Sequence, residues 1–127
     1  MSQPDGEPRP RASAGHRVVL RLSDGREVPL RGMTLLGRNP RPDDDEVVTD
    51  LVTLTDPRLS VSKTHLLVGM DAAGPFVVDR HSTNGTMVTL PDGQQILCGP
   101  GQTVRVPPGA VVTFGDFTLV PEHDGQG

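Results

Sequence analysis

Val18-Val19-Leu20-Arg21-Leu22-Ser23-Asp24-Gly25-Arg26-Glu27-Val28-Pro29-Leu30 is the stretch on which the fold turns. A period of two puts Val18, Leu20 and Leu22 on one face and Val19 and Arg21 on the other, the pattern of a half-buried strand. Asp24-Gly25 supplies the tight turn, where the backbone needs positive φ, and Glu27 to Leu30 runs back. The same pattern continues along the chain. Met33 to Leu36 ends at Gly37, and Leu51 to Thr55, His65 to Met70 and Phe76 to Asp79 read as further strands. Thr86 to Leu90 and Gln94 to Leu97 flank a second hairpin turn at Pro91-Asp92-Gly93, and Thr103 to Val106, Ala110 to Phe114 and Phe117 to Val120 follow. No window sustains helical i, i+3, i+4 spacing for three turns. About eleven short strands separated by Gly, Pro and Asp loops predict an all-β sandwich or barrel.

Composition agrees with that class and excludes others. Glycine (15) and proline (13) together make about a fifth of the 127 residues, which argues against a helical bundle. The three aromatic residues are Phe76, Phe114 and Phe117, too few to line a large cofactor pocket. A net charge of −4 with no basic run argues against general nucleic-acid binding. Apolar runs are too short to cross a membrane, and the N-terminus lacks the apolar stretch of a signal peptide. One cysteine, Cys98, rules out an internal disulfide and fits a reducing, cytoplasmic setting. Lys63 is the one lysine among 12 basic residues, an arginine bias that suits a GC-rich bacterial genome.

Residues 1–16 and 121–127 are poor in large apolar side chains and read as disordered tails, leaving 17–120 as one domain. A sandwich carries its loops at its ends, and three loops here stand out. The segment from Gly37 to Asp50 is long and sets Arg38 beside Asp43-Asp44-Asp45-Glu46. Asp56 to Thr64 holds two serines and Lys63, and Arg80 to Gly85 is nearly all hydrogen-bonding groups. Arg38, Ser62, Lys63, Ser82, Thr83 and Asn84 together offer a planar cationic fork, a point cation, hydroxyls and an amide, with no carboxylate. Such a set suits a tetrahedral dianion. The alternative is that Arg38 simply pairs with the acidic run that follows it. That run is itself either a solvated face or a filter that disfavours acidic peptides.

Other chemistry fits poorly. Ser62, His65 and Asp79 contain the residue types of a hydrolase triad, but Ser-x-x-His at one loop-to-strand junction is the wrong spacing, and no Gly-x-Ser-x-Gly elbow is present. His65 reads as a hydrogen-bonded structural histidine, and Asp79 as the residue that pins the loop after it. The four histidines show no metal-ligand spacing, so neither a metal site nor a cofactor is expected. His81, beside the third loop, reads as exposed. Cys98 reads as a small buried residue, and Met33, Met70 and Met87 as core or edge packing.

Leu35-Leu36-Gly37-Arg38, then Leu59-Ser60-Val61-Ser62-Lys63-Thr64-His65, then Asp79-Arg80-His81-Ser82-Thr83-Asn84-Gly85-Thr86, resembles the forkhead-associated (FHA) domain. The family signature is Gly-Arg, Ser-Arg-x-His and Ser-x-Asn-Gly in this order, and Phe114-Gly115-Asp116 with its apolar strand resembles the family's C-terminal end. The similarity covers about residues 18–120. It implies an all-β sandwich of eleven strands whose loops at one end bind phosphothreonine peptides. Arg38 then resembles the arginine that contacts phosphate, and Ser62 the serine that bonds a phosphate oxygen. Thr83 matches a position where the family has a residue near the phosphate, and Asn84 resembles the asparagine that clamps the ligand backbone. Gly37, His65 and Gly85 match loop-shaping positions. Lys63 departs from the pattern, because many members have arginine there; a lysine contacts phosphate as a point charge. The loop from Asn39 to Asp50 departs too, being longer than usual, and it is acidic.

The expected function is a non-enzymatic phosphothreonine-binding module in Ser/Thr-kinase signalling, with phosphorylated kinases or their substrates as partners. The competing expectation is a scaffold of the same fold that binds a partner without phosphate, favoured by Lys63 and the acidic loop.

Overall fold

The computed structural model of the chain describes residues 17–124. The tail expected over residues 1–16 lies outside them. Eleven strands follow in order: β1 Arg17–Leu22, β2 Glu27–Pro29, β3 Thr34–Gly37, β4 Asp50–Thr53, β5 Leu66–Asp71, β6 Gly74–Asp79, β7 Thr86–Thr89, β8 Gln95–Leu97, β9 Thr103–Arg105, β10 Val111–Phe114 and β11 Phe117–Asp124. They form two sheets, one six-stranded in the order β8-β7-β10-β11-β1-β2 and one five-stranded in the order β9-β6-β5-β3-β4. The expected strands are present, with ends shifted by a residue or two except at the C-terminal end of β11, which runs on to Asp124.

Alternation in the sequence sets the inner face of each sheet. In β1, Val18, Leu20 and Leu22 are buried and Arg17 and Arg21 are exposed. Both expected hairpins close. Leu22 N–H donates to the Arg26 carbonyl at 2.9 Å with Gly25 at φ 97°, and Leu90 N–H donates to the Gln94 carbonyl at 2.8 Å with Gly93 at φ 91°. Between the sheets, Leu20, Leu36, Leu66, Val77, Val88 and Phe114 pack in one cluster. Cys98 joins that cluster, and burial, aided by the Asp79 carboxylate, pushes its thiol pKa up to about 11. Met33 and Met70 sit part-exposed at edges, not in the core.

One pairing explains the long acidic loop. β3 and β4 are parallel neighbours, with Leu35 opposite Leu51, whereas every other strand pair is antiparallel. Parallel neighbours cannot be joined by a tight hairpin and need a crossover of about a dozen residues or more. Residues 38–49 are that crossover.

The C-terminal boundary needs correction. The tail expected from residue 121 is strand as far as Asp124, with Pro121 opposite Leu20 and Asp124 opposite Arg17; residues 125–127 lie outside the described part. Pro-Glu-His-Asp reads as loop, but β10 pairs β11 only through Leu119. Beyond that point β11 has β1 on one side and, among the described residues, no strand on the other, a locally open edge where a proline's missing N–H breaks no ladder. Among the described residues no helix is long and apolar enough to cross a membrane.

Candidate functional site

Three loops meet at one end of the sandwich: the start of the crossover after β3, residues 54–65 between β4 and β5, and residues 80–85 between β6 and β7. Main-chain bonds join the first two. Arg38 N–H donates to the Ser62 carbonyl at 3.1 Å, Asn39 N–H to the Lys63 carbonyl at 3.0 Å, and His65 N–H to the Leu36 carbonyl at 2.8 Å. Gly37 makes this approach possible, because a Cβ there would sit 1.9 Å from the Lys63 carbonyl oxygen.

Asp56 shapes the second loop. Its buried Oδ2 accepts Val61 N–H at 2.6 Å and the Ser60 hydroxyl at 3.2 Å, and Leu59 in this turn has φ 55°. Sequence reasoning passed over this residue. The signal was Asp56-Pro57, an aspartate before proline at a turn start, where the side chain caps the backbone that follows. Ser60 then serves two neighbours: its carbonyl accepts Asn84 Nδ2–H at 2.9 Å and its Oγ accepts Asp116 N–H at 2.8 Å.

Asp79 holds the third loop. It is 2% exposed; Oδ1 accepts the hydroxyls of Ser82 and Thr86, and Oδ2 accepts Ser82 N–H. Burial raises its pKa, but the Ser82 and Thr86 hydrogen bonds and His65 outweigh it, so the carboxyl sits below its ordinary value. Ser82 Oγ also accepts Gly85 N–H at 2.9 Å. Ser82 therefore faces inward as part of the frame, unlike the other members of the constellation in which the sequence groups it.

His65 ties the second loop to the third. The ring is fully buried, Nδ1 accepts Ser62 N–H at 3.0 Å, and Nε2 lies 2.9 Å from the Gly85 carbonyl. With Nδ1 accepting, the proton is on Nε2, which donates to Gly85. This is the neutral form. Burial pushes the pKa below its ordinary value, against the opposing pull of the Gly85 carbonyl, Asp79 and Asp56. Because His65 meets the Ser62 main chain and not its hydroxyl, no nucleophile–base pair forms. Gly85, at φ 84°, takes a conformation that suits glycine.

On this frame stand the expected ligand groups. Arg38 is half-buried, and its Nε–H donates to the Val61 carbonyl at 2.6 Å. Its two terminal nitrogens have no partner among the described residues. Ser62 Oγ accepts Thr83 N–H at 2.9 Å, which leaves the hydroxyl proton to donate outward. Lys63, Thr83 and Asn84 are exposed, and the Lys63 ammonium has no ion pair among the described residues. The acidic run does not take Arg38, as one alternative had it. Arg80 takes it: Nη1 lies 2.9 Å from both Glu46 carboxylate oxygens and Nη2 lies 2.9 Å from Asp43 Oδ2. Half-buried surroundings and this knot make Arg80 a structural residue that sequence reasoning did not single out, because its partners lie more than thirty positions away. His81 is exposed, as expected, at φ 54°. The arrangement places unspent N–H and O–H donors around one patch, carried by two cations, Arg38 and Lys63, and by the neutral Ser62, Thr83 and Asn84. It is fit to hold an oxyanion.

The family model described as the FHA domain matches residues 34–115. Similar solved structures include an FHA domain from a study of phosphothreonine-dependent FHA domain interactions, at 26% identity over 87% of this chain and 99% of that one, TM-score 0.59. The FhaA FHA domain complexed with the intracellular domain of Rv3910 is similar at 27% identity over 83% of this chain and 99% of that one, TM-score 0.57. The FHA domain of the CT664 protein from Chlamydia trachomatis, 20% identical over 86% and 99% of the two chains with TM-score 0.63, shares the fold. No curated protein matches the sequence.

Proposed function

This chain belongs to the FHA domain family, and from that premise we propose that it is a phosphothreonine-binding module which recruits phosphorylated proteins in Ser/Thr-kinase signalling. FHA domains are binding modules. The proposal extends that to this chain: it docks a phosphorylated kinase or kinase substrate in a bacterial cytoplasm and catalyses nothing itself. The similar FHA domains studied for phosphothreonine-dependent interactions and solved with an intracellular partner domain support the reading.

The observation that carries it is the state of Arg38. In a protein with net charge −4, its guanidinium is aimed by a bond to the Val61 carbonyl and its two terminal nitrogens are left unspent by the described residues. A phosphothreonine brings about −1.5 to −2 charges and three acceptor oxygens. Arg38 acts as the fork that takes two of those bonds, and Ser62 donates its hydroxyl to a third position. Lys63 adds a point charge, and Thr83 stands beside the phosphate. Asn84, its amide braced on Ser60, clamps the peptide backbone. Gly37, His65 and Gly85 hold the three loops at the spacing this needs.

Titrating matched phosphothreonine and unphosphorylated peptides into the protein, with phosphate release followed in parallel, tests the proposal. Tight binding of the phosphorylated peptide alone, without turnover, is the expected result. Equal binding of both would establish the phosphate-independent scaffold instead, and released phosphate would make the chain a phosphatase.

A further inference from the structure

Arg80 sits where the frame of the site meets the acidic crossover. Its main-chain N–H donates to the His65 carbonyl at 2.9 Å, so its backbone is fixed to the residue that joins the second and third loops. Asp79 precedes it and holds Ser82, three residues further along from Asp79. Its guanidinium grips Glu46 with one nitrogen and Asp43 with the other. The acidic turn is closed on itself as well: Glu46 Oε1 accepts Asp43 N–H at 3.0 Å, and Glu46 N–H donates to the Asp43 carbonyl at 3.0 Å. A further tie fixes the crossover to the second loop, where Arg41 N–H donates to Thr64 Oγ1 at 3.0 Å.

The acidic turn is thus fastened to Arg80, the first residue of the third loop, and through Arg41 to Thr64, two residues from Ser62. Thr83 is three residues from Arg80 along the chain, so their Cα atoms are at most about 11 Å apart. That is close to the Debye length of about 8 Å at physiological ionic strength. Carboxylates on the order of one to two Debye lengths from a dianion still repel it, more strongly at low salt, and two of them unshielded would work against the fork at Arg38.

We propose that Arg80 is a shielding and positioning residue of the phosphate site: it binds Asp43 and Glu46 in one ion-pair knot and cancels one of their two negative charges beside the incoming phosphate. The inference rests on the phosphothreonine reading above. Asp44 and Asp45 stay exposed and are unchanged by the knot, so their contribution is a constant background.

Simple charge counting sets the expected effects. The knot of Asp43, Glu46 and Arg80 carries −1, and Arg80→Ala makes it −2. For a ligand charge of −2 at about 10 Å, that weakens binding roughly 1.5-fold at 0.15 M salt and about threefold at 0.01 M. Neutralising the turn in the same background, with Arg80→Ala, Asp43→Asn and Glu46→Gln together, removes both negative charges. Affinity should then recover by about twofold at 0.15 M and roughly sevenfold at 0.01 M relative to Arg80→Ala. Both variants lack the same anchor, so a purely mechanical role for Arg80 would leave them equally impaired at every salt concentration. Arg80→Lys, which keeps the charge, should bind within about twofold of wild type.

The probe is a phosphothreonine peptide with uncharged flanks, titrated into the full chain at both salt concentrations, with the unphosphorylated peptide alongside and a melt of each variant. Should Arg80→Ala fail to fold, Arg80→Gln removes the same charge while keeping a hydrogen-bonding side chain and carries the same comparison. Recovery of affinity in the triple variant, larger at low salt, bears the proposal out. Equal affinities for Arg80→Ala and the triple variant at 0.01 M overturn it and leave phosphothreonine binding untouched. A wild-type chain that binds neither peptide, or both alike, overturns the phosphothreonine reading and this role with it.

Discussion

Arg38 and Arg80 follow β3 and β6 at the same end of the sandwich, and each has its backbone bonded to a neighbouring loop. Their side chains have opposite fates. Arg80 is 16% exposed, and both of its terminal nitrogens are taken by Asp43 and Glu46. Among the described residues Arg38 gives only Nε, to a neutral carbonyl, and keeps its terminal nitrogens open. One arginine builds the site and the other is left for the ligand. What separates them is not residue type or nearness to acid in the sequence, since Arg38 is the closer of the two to the acidic run. It is which of them the parallel crossover folds back upon.

The largest expected effect lies in the frame that both arginines share. Asp79→Ala removes a buried carboxylate that accepts three hydrogen bonds and leaves the Ser82 and Thr86 donors without it. The cost should be about 3–5 kcal/mol of folding stability. A denaturant midpoint close to wild type would show that the loop is held by something else.

Ser62→Ala and Asn84→Ala come next, each expected to weaken phosphopeptide binding by about 1.5–3 kcal/mol, the value of a hydrogen bond to a charged group. Isothermal titration with one phosphothreonine peptide measures this; a change in melting temperature without a change in affinity would move both residues into the Arg80 class. Lys63→Ala should cost less, about 1 kcal/mol, because an exposed, flexible ammonium loses much of its gain to screening and ordering.

Acid should loosen the frame in two steps. The folded-state pKa of His65 lies below 6.5 and that of Asp79 below 3.8. In each case the unfolded chain takes up the proton first as pH falls, so stability drops. The His65 contribution is complete above pH 6.5 and is lost as pH falls through its folded value; the Asp79 contribution follows below pH 3.8. Melting curves of the ligand-free protein should therefore be level from about pH 8 to 6.5 and fall on the acid side. A melting temperature that rises between pH 6.5 and 5 would contradict the neutral, hydrogen-bonded His65. Peptide affinity should also weaken below about pH 6, where the phosphate takes up its second proton, so the ligand-free melt is the reading that isolates His65.

Much of the fold was legible because alternation and Asp-Gly turns are local signals. Leu20 faces the core for the reason that any second residue of such a strand does, and Gly25 and Gly93 take positive φ where their turns require it. The roles of His65 and Asp79 were legible as well, from buried polar types at strand ends. Pro121 misled because its tolerance depends on β10 stopping short beside it, a fact of sheet assembly. Ser82 could not be told from Ser62 by type, since the first hydroxyl is claimed by Asp79 and the second stays open only once the loops are joined. The pairing of Arg80 with residues 34 and 37 positions away was out of reach for the same reason. Electrostatic partners across a crossover follow from topology, and local sequence carries little of it.

Arg38→Ala beside Arg80→Ala, each titrated with one phosphothreonine peptide at physiological salt and each melted without ligand, tests the division of labour most directly. Arg38→Ala should lose about 2–4 kcal/mol of binding, roughly 30- to 1000-fold, while its melting temperature stays within a few degrees of wild type. Arg80→Ala should keep its affinity within about twofold and melt lower, having lost a knot worth about 1–2 kcal/mol. The reverse pattern, an Arg38→Ala protein that binds like wild type and an Arg80→Ala protein that melts normally but no longer binds, would contradict the assignment.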